Sequence, residues 1–289
     1  MNIKSRVESD ELKAFRILKS RKTLSTEEAD QLARLEKGYE GELLFDERVN
    51  RLSKEWLVLD DLQLESNNTN FQIDSIIIAQ KLILLFEIKN HEGDYYIEDG
   101  KWYYINGTPI QNPVNQLERS ESLFRRLLQE LGNNIPIESY IIYVNPDFHI
   151  YNTIRNLPII FPNQLNRFFT KLDQLSSKVN GYHMRLAKKI ASLHKIKSSY
   201  SNLPKYSYDK LRKGVICANC SSFNLESKRR VLTCKNCGTI EIFPNQKITT
   251  SIIFDWCNGI RSEDTIRRVL LKHYAIKGNG KASYYERTT

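Results

Sequence analysis

The chain has 289 residues, of which 40% are hydrophobic and 10% aromatic, and its formal net charge is +9. This length predicts two or three domains at about 100–200 residues each, and the apolar content excludes a wholly disordered chain. Residues 1–170 carry 20 basic and 26 acidic side chains, whereas residues 171–289 carry 23 basic and 8 acidic ones, so the net charges are −6 and +15. The second part is expected to bind a polyanion such as nucleic acid, although an ordinary solvated lysine surface gives the same count.

The sequence offers neither a membrane span nor a secretory signal. Its apolar runs are far shorter than the about 18–20 residues that a membrane span needs. The N-terminal sequence MNIKSRVESDELKAF has charges where a signal peptide needs an apolar block. We therefore expect a cytoplasmic protein with no membrane partner.

Residues 1–175 alternate between helical and strand patterns, which predicts an α/β fold. Gly38 and Gly41 are expected to end one helical stretch before the next begins. By apolar spacing and turn residues, helices are expected over residues 10–37, 42–53, 114–131 and 163–175. Strands are expected over residues 56–64, 71–78, 81–89, 95–97, 102–105, 139–144 and 158–161.

The remaining sequence is more basic and less regular. It predicts a basic helix over residues 184–197, a Ser/Tyr/Pro-rich linker, two short helices over residues 250–258 and 262–273, and a basic tail. We divide the chain into an N-terminal helical segment (1–37), a central α/β domain (38–175), a basic helix and linker (176–209), a cysteine module (210–249) and a C-terminal basic helical segment (250–289).

Acidic and basic residues converge in the predicted hairpin of residues 71–89. Asp74 lies on one strand, and Glu87 and Lys89 lie on the other, where residues two apart point to the same face. Two carboxylates suit Mg²⁺, which takes one or two carboxylates and keeps several waters. Such an ion activates water and stabilises charge on a phosphodiester, and Lys89 would orient that water or offset the charge. A surface ion pair on a sheet edge has the same spacing.

Two flanking residues extend this pattern. Glu42, in GYEGELLF, precedes the sheet and would bring a third carboxylate. Gln116, in NPVNQ, lies in the first turn of the following helix and would hydrogen-bond a phosphate or the attacking water. His91, just after FEIKN, could lie near the metal, but a loop histidine is more often solvated, and we expect it to be so here.

The order GYEGELLF, QIDSIII, LLFEIKN and NPVNQLERSESLF resembles the nuclease-related domain (NERD) family, a branch of the restriction-endonuclease-like PD-(D/E)xK superfamily, over roughly residues 35–170. The resemblance implies a mixed β-sheet core flanked by helices, and phosphodiester cleavage that depends on Mg²⁺ (or Mn²⁺). By the same resemblance, Asp74 and Glu87 match the metal-binding acids, Lys89 the catalytic lysine, and Glu42 and Gln116 the flanking acid and glutamine. Ser75 stands where the family often has glycine.

Four cysteines form two CxxC pairs, Cys217 with Cys220 and Cys234 with Cys237, separated by 13 residues. Four thiolates at this spacing predict a tetrahedral structural Zn²⁺ site, and the segment resembles a zinc ribbon. Lys228-Arg229-Arg230 between the pairs favours DNA contact, although many ribbons only join domains or bind protein. Cys257 is expected to be a buried hydrophobic residue.

The two last predicted helices carry a set of basic residues, namely Arg261, Arg267, Arg268 and Lys272, followed by Lys277 and Lys281. They would form a helix-turn-helix-like unit or a two-helix cap with a solvated basic face.

Three hypotheses follow for the whole chain: a Mg²⁺-dependent nuclease acting on DNA, a non-catalytic nucleic-acid-binding or adaptor protein with a nuclease-like fold, and a structural zinc protein that binds other proteins.

Overall fold

The computed structural model describes residues 1–53, 56–175, 178–195, 204–214, 223, 227–228, 231–232, 248–257, 259, 261–280 and 283–287. Contacts divide the chain into two compact units. The first unit is Met1–Glu8 with Ala33–Lys197, and the second is Ser9–Leu32 with Ser198–Thr289. Each unit has hydrophobic clusters of its own.

The helices are α1 (Asp10–Arg21), α2 (Thr26–Asn50), α3 (Pro113–Glu130), α4 (Leu165–Gln174), α5 (Gly181–Ser192), α6 (Thr250–Trp256) and α7 (Glu263–His273). The strands are β1 (Asn2–Lys4), β2 (Leu57–Ser66), β3 (Thr69–Ile78), β4 (Ile83–Lys89), β5 (Gly93–Glu98), β6 (Lys101–Tyr104), β7 (Pro109–Ile110), β8 (Ile137–Tyr143), β9 (Phe148–Tyr151), β10 (Ile159–Ile160), β11 (Ser227–Lys228), β12 (Val231–Leu232), β13 (Tyr274–Lys277) and β14 (Tyr284–Arg287). In the parts of the chain that are described, no helix is long and apolar enough to cross a membrane.

The first unit is built on a six-stranded mixed sheet with the strand order β1-β2-β3-β4-β8-β10. The strands β2, β3 and β4 pair antiparallel, whereas β8 pairs parallel with both β4 and β10. The predicted mixed sheet flanked by helices is therefore confirmed. The short edge strand β1, which pairs parallel with β2, was not predicted because its three residues carry no strand pattern.

Both faces of the central strands are covered. In β4, Ile83 and Leu85 belong to the cluster formed with α3 and α5, whereas Leu84, Phe86 and Ile88 belong to the cluster formed with α2 and α4. A strand buried on both faces has a continuous apolar sequence instead of an alternating one. The polar residues that follow at the end of β4 are therefore exceptions to the local pattern.

Helix α2 passes without interruption through Gly38 and Gly41, so the predicted break between two helices was wrong. Glycine inside a helix costs about 1 kcal/mol relative to alanine, but packing against the sheet outweighs that preference. A Cβ atom at Gly41 would lie 2.5 Å from Cβ of Asn90 and 3.3 Å from Cγ2 of Val144. Gly41 thus permits the close approach of α2 to the residues that follow β4 and β8.

A second sheet in this unit has the order β7-β6-β5-β9. It contains the predicted hairpin of β5 and β6, in which Tyr95 pairs with Tyr104 and Ile97 with Trp102. Its buried residues include Tyr95 and Trp102, which belong to the same cluster as α3. These two aromatic side chains therefore pack the hairpin against the rest of the unit.

In the second unit, α1 packs with residues from the C-terminal part of the chain. Leu18 shares a buried cluster with Leu211 and Trp256, and the Arg21 guanidinium lies 3.8 Å from the centre of the Trp256 ring. The two predicted final helices are present as α6 and α7. The basic tail expected after them contains an antiparallel hairpin of β13 and β14, which was not predicted. The zinc ribbon stays a prediction, because its four cysteines lie outside the described residues, namely Cys217, Cys220, Cys234 and Cys237.

The two glycines of α2 provide a matched test of this packing. Gly41→Ala should destabilise the protein by about 1–3 kcal/mol, because the added methyl group overlaps Asn90. Gly38→Ala should stabilise it by about 0.5–1 kcal/mol, since a Cβ atom there meets nothing within 4 Å. Urea unfolding followed by circular dichroism measures both changes, and equal stabilisation by the two substitutions would contradict the packing described.

Candidate active site

Asp74 lies where strands β3 and β4 stop pairing with each other. The ladder between them runs from Ile78 and Ile83 to Ser75 and Phe86. One residue further on, Oδ2 of Asp74 accepts a hydrogen bond of 2.8 Å from the backbone N–H of Ile88. The side chain of Asp74 therefore takes the place of a backbone acceptor and is fixed at the point where the strands separate.

Glu87 and Lys89 project from the same face of β4, as their two-residue spacing predicts. Nζ of Lys89 donates a hydrogen bond of 2.7 Å to Oε1 of Glu87 and one of 3.2 Å to Oε1 of Gln116. Nε2 of Gln116 donates a hydrogen bond of 2.6 Å to the same oxygen of Glu87. The three side chains form a closed triangle in which each one orients the other two.

The start of α3 places Gln116 in this triangle. The side chain of Asn112 caps the helix by accepting a hydrogen bond of 2.9 Å from the N–H of Val114, and Pro113 occupies the first turn. Asparagine at the N-cap followed by proline is a favoured helix start. Because the helix begins here, its first turn directs Gln116 towards the end of β4.

Glu42 comes from α2, on the side of the helix that also carries buried Phe45 and Val49. Burial raises the pKa of Glu42 to about 7, and the negative charge of Asp74 contributes to the shift. The same two causes, burial first and Asp74 second, raise the pKa of Glu87 to about 7. Asp74 thus interacts electrostatically with a carboxylate on each side of it.

Asp74 itself has a raised pKa, caused above all by its burial and opposed by the Ile88 hydrogen bond and the charge of Lys89. Because the charge of Asp74 disfavours ionisation of both Glu42 and Glu87, these carboxylates form a site that a cation would stabilise. The charges of Arg6 and Lys89 lower the pKa values of these carboxylates only in part, so the pKa values of Glu42, Asp74 and Glu87 all stay above their ordinary range.

The donor set of Asp74 and Glu87 fits a hard divalent cation. Within the described part of the chain, no hydrogen bond reaches Oδ1 of Asp74 or Oε2 of Glu87. No group of three or more His, Cys, Asp or Glu side chains positioned to hold a metal was found among the described residues. Mg²⁺ does not require such a group, because one or two carboxylates and several waters complete its coordination.

The structure thus brings together the side chains singled out in the sequence, namely Glu42, Asp74, Glu87, Lys89 and Gln116. Their catalytic and metal-binding roles remain predictions. The serine that departs from the family pattern faces elsewhere, since the Ser75 hydroxyl donates a hydrogen bond of 2.8 Å to Oδ1 of Asp60. Ser75 is fully buried and does not contact the carboxylate of Asp74 through any described hydrogen bond.

Arg6 is the principal residue of this region that the sequence did not indicate. Its side chain is 3% exposed and forms two hydrogen bonds with Asp46, of 2.9 Å and 3.0 Å. Nη2 also donates to the backbone carbonyl of Asp74 at 3.1 Å, and Nη1 lies 3.1 Å from Oε2 of Glu42 in an ion pair without hydrogen-bond geometry. Arg6 therefore links the helix that carries Glu42 to the strand that carries Asp74.

His91 was expected to be solvated, and this was wrong. Its ring stacks on Tyr95 at 5.5 Å and meets the edge of Tyr143 at 5.7 Å. Burial lowers the pKa of His91 to about 4, and the charges of Lys89 and Lys37 add to the shift. The hydroxyl of Tyr143 is also buried and has no hydrogen-bond partner among the residues that the structure describes. A neutral aromatic wall therefore adjoins the triangle of Glu87, Lys89 and Gln116.

Comparison with known proteins gives one match. Residues 37–144 match the family model of the nuclease-related domain (NERD), which supports the resemblance to this family for that segment. The matched segment contains Glu42, Asp74, Glu87, Lys89 and Gln116, whereas Arg6 and all of the C-terminal part lie outside it. No curated protein and no solved structure matches the chain.

The ion pairs of Arg6 lead to a test of stability. Arg6→Ala should cost about 3–5 kcal/mol at pH 8, because it removes the partner of the partly buried carboxylates of Glu42 and Asp46. The pKa of Glu42 is about 7, and the charge of Arg6 opposes this rise. Loss of the guanidinium raises the pKa of Glu42 further above its unfolded value, so stability falls as pH rises through the folded-state value. The cost should therefore be smaller at pH 5.

Urea unfolding at the two pH values measures this effect. Arg51→Ala is the matched control, since its ion pair with Glu47 at 3.5 Å is exposed and should contribute little. A pH-independent cost for Arg6→Ala would show that lost packing, and not uncompensated carboxylates, is responsible.

Proposed function

We propose that the chain is a Mg²⁺-dependent nuclease that hydrolyses DNA phosphodiester bonds, with DNA held by the basic, zinc-binding C-terminal part. The observation that carries the proposal is the convergence of Asp74, Glu87, Lys89 and Gln116 within the segment that matches the nuclease-related domain. The match alone supports a nuclease-related domain, and the DNA substrate and the metal dependence belong to the proposal.

Asp74 and Glu87 would hold the Mg²⁺ (or Mn²⁺) through their carboxylate oxygens that lack described hydrogen bonds. The chemistry that such an ion supplies is stabilisation of the negative charge that develops on the phosphate. Glu42 contributes a third negative charge near Asp74. Cation binding requires the ionised carboxylates, so affinity for the ion should rise as pH increases through about 7.

Lys89 is held ready to act on the scissile phosphate or on the attacking water. An ammonium group has three donors, and Lys89 gives two of them to Glu87 and Gln116. The remaining N–H can donate to a phosphate oxygen or to water. Because both partners fix the direction of Nζ, the charge is oriented before substrate arrives, which is the arrangement that electrostatic catalysis favours.

Charge supports the assignment of DNA holding to the second unit. From the sequence, the first unit has 22 basic and 22 acidic residues, whereas the second has 21 basic and 12 acidic residues. The net charge of +9 thus belongs to the second unit. A neutral catalytic unit attracts a polyanion weakly, so the second unit would supply most of the sequence-independent affinity.

The catalytic proposal is tested by incubating plasmid and single-stranded DNA with wild type, Asp74→Ala and Lys89→Ala, with and without Mg²⁺ or Mn²⁺. Wild type should cleave only with the ion, and each substitution should reduce the rate by about 100-fold or more. Glu47→Ala is the control, because Glu47 lies in α2 and its side chain is 64% exposed.

Other results would favour the other classes of protein. Cleavage by Asp74→Ala and Lys89→Ala at the wild-type rate would contradict the site. Salt-dependent DNA binding without metal-dependent turnover would favour the non-catalytic binding protein. Failure to bind DNA at about 50 mM salt would favour the structural zinc protein.

The zinc proposal has its own test. Purified protein should contain about one Zn²⁺ per chain, and Cys217→Ser or Cys234→Ser should lose it, because each removes one of four thiolate ligands. Cys257→Ala is the control, since Cys257 is buried beside Ile253 and Leu270 and should leave the zinc content unchanged. Metal analysis of all four proteins measures this, and zinc well below one per chain in wild type would contradict the ribbon.

A further inference from the structure

The last part of the second unit forms a helix-turn-helix. Helix α6 ends at a turn in which Gly259 has φ +66 and donates a hydrogen bond of 3.0 Å to the carbonyl of Phe254. Helix α7 begins at Ser262, whose side chain accepts from the N–H of Thr265. The two helices bury Ile253 and Ile266 in a common cluster.

A small antiparallel sheet follows the two helices. Strands β13 and β14 pair from Tyr274 with Arg287 to Lys277 with Tyr284. On the other edge of β14, Ile248 forms an isolated antiparallel bridge with Tyr285. Along the chain, the order is Ile248, helices α6 and α7, and then the hairpin of β13 and β14. In the sheet, β14 lies between β13 and Ile248. This is the arrangement of a winged helix-turn-helix.

Helix α1 supports α6 from within the same unit. Leu18 of α1 shares a cluster with Trp256 of α6. Arg21 lies over the Trp256 ring and donates hydrogen bonds of 2.9 Å and 3.0 Å to the carbonyls of Arg212 and Gly214. These contacts join α1 to α6 and do not involve α7, most of whose residues are exposed.

The surface of α7 away from its buried side carries three cations, one apolar residue and, one turn earlier, the exposed Asp264. Ile266 and Leu270 are buried at 3% and 0% exposure. At 100° per residue, Arg267, Arg268, Leu271 and Lys272 lie away from them. Leu271 is 48% exposed. No ion pair of these cations with a described carboxylate occurs, and the hydrogen bonds of Arg268 stay within α7.

We propose that α7 binds in the major groove of duplex DNA, with Arg267, Arg268 and Lys272 contacting phosphates and base edges. An α-helix fits the B-form major groove, which is about 12 Å wide, and the second helix of a helix-turn-helix is the one that enters it. Three cations that form no ion pair with a described carboxylate lie beside an exposed leucine and match the negative phosphates and the thymine methyl groups of that groove. The choice of DNA rests on the proposed function.

The acidic residues of α7 set its orientation on the duplex. Glu263 and Asp264 lie in the first turn, where negative charge is favourable for the helix. The cations lie in the second and third turns, so the middle and the C-terminal end of α7 would make the contacts. Lys277 in β13 follows this end; its Nζ lies 3.9 Å from Oε2 of Glu286 in an exposed ion pair, and it would exchange this partner for an adjacent phosphate.

The test compares two triple substitutions in Lys89→Ala protein without added Mg²⁺, so that cleavage does not disturb binding. One is Arg267→Ala/Arg268→Ala/Lys272→Ala in α7. The control removes three exposed cations from α5 in the first unit, as Arg185→Ala/Lys188→Ala/Lys189→Ala. The two triple variants have the same net charge, because each loses three cations. Binding to a duplex of about 20 base pairs and to its separate strands is measured by fluorescence anisotropy at about 50 and 200 mM salt.

We expect the α7 variant to bind the duplex at least about 10-fold more weakly, with a salt slope reduced by about 2–3, and the α5 variant to change by less than about 3-fold. Equal losses in the two variants would overturn the proposal, because they would show an effect of total charge alone. Equal losses on duplex and single strands would overturn the groove assignment. Unchanged duplex binding by the α7 variant would also overturn the proposal. Circular dichroism checks that the α7 variant is folded.

Wild-type cleavage in the presence of Mg²⁺ separates this inference from the proposed function. Duplex binding lost only in the α7 variant, with no cleavage by wild type, would support α7 as the DNA-binding helix and contradict the nuclease. Cleavage by wild type with no effect of the α7 substitutions would support the nuclease and contradict the role of α7.

Discussion

Burial of several carboxylates at the point where β3 and β4 separate is the constraint that organises the first unit. Asp74 interacts with Glu42 and Glu87, and burial raises the pKa of all three. Like charges in a low-dielectric region destabilise a fold unless cations or protons offset them. Arg6 offsets part of this charge at Glu42, and Lys89 offsets part of it at Glu87. The remaining negative charge costs stability, and the proposed cation would offset it.

The sequence predicted the parts of this site that depend on short spacing. Glu87 and Lys89 are two residues apart on one strand, and Asp74 lies on the adjacent strand of the same hairpin, so strand geometry alone brings them together. Arg6 could not be predicted in this way, because its contacts with Asp46 and Asp74 join residues 40 and 68 positions apart. Its position depends on β1 joining the sheet edge, and a strand of three residues has too little pattern to be recognised.

The helix and strand errors have a common physical origin. Glycine marks a helix end when the helix is considered alone, but at Gly41 it permits contact with Asn90, so tertiary packing outweighs the local preference. Strands β13 and β14 were missed because four-residue strands with exposed residues such as Ile276 and Lys277 lack a buried alternating face. In both cases the decisive interactions are made with residues distant in sequence.

The division of charge takes on a different meaning once the units are known. The sequence suggested an acidic part followed by a basic part, but the first unit is neutral because it includes the seven cations of residues 171–197, and the second unit holds the whole net charge of +9. A unit with no net charge can still contain a cluster of carboxylates. The electrostatic environment of Asp74 depends on the buried residues near it and not on the net charge of the unit. In the proposed nuclease, a centre with excess negative charge would repel DNA unless a cation is present, whereas a separate basic unit would bind DNA without one. Separating the two tasks would let DNA affinity and cation dependence vary independently.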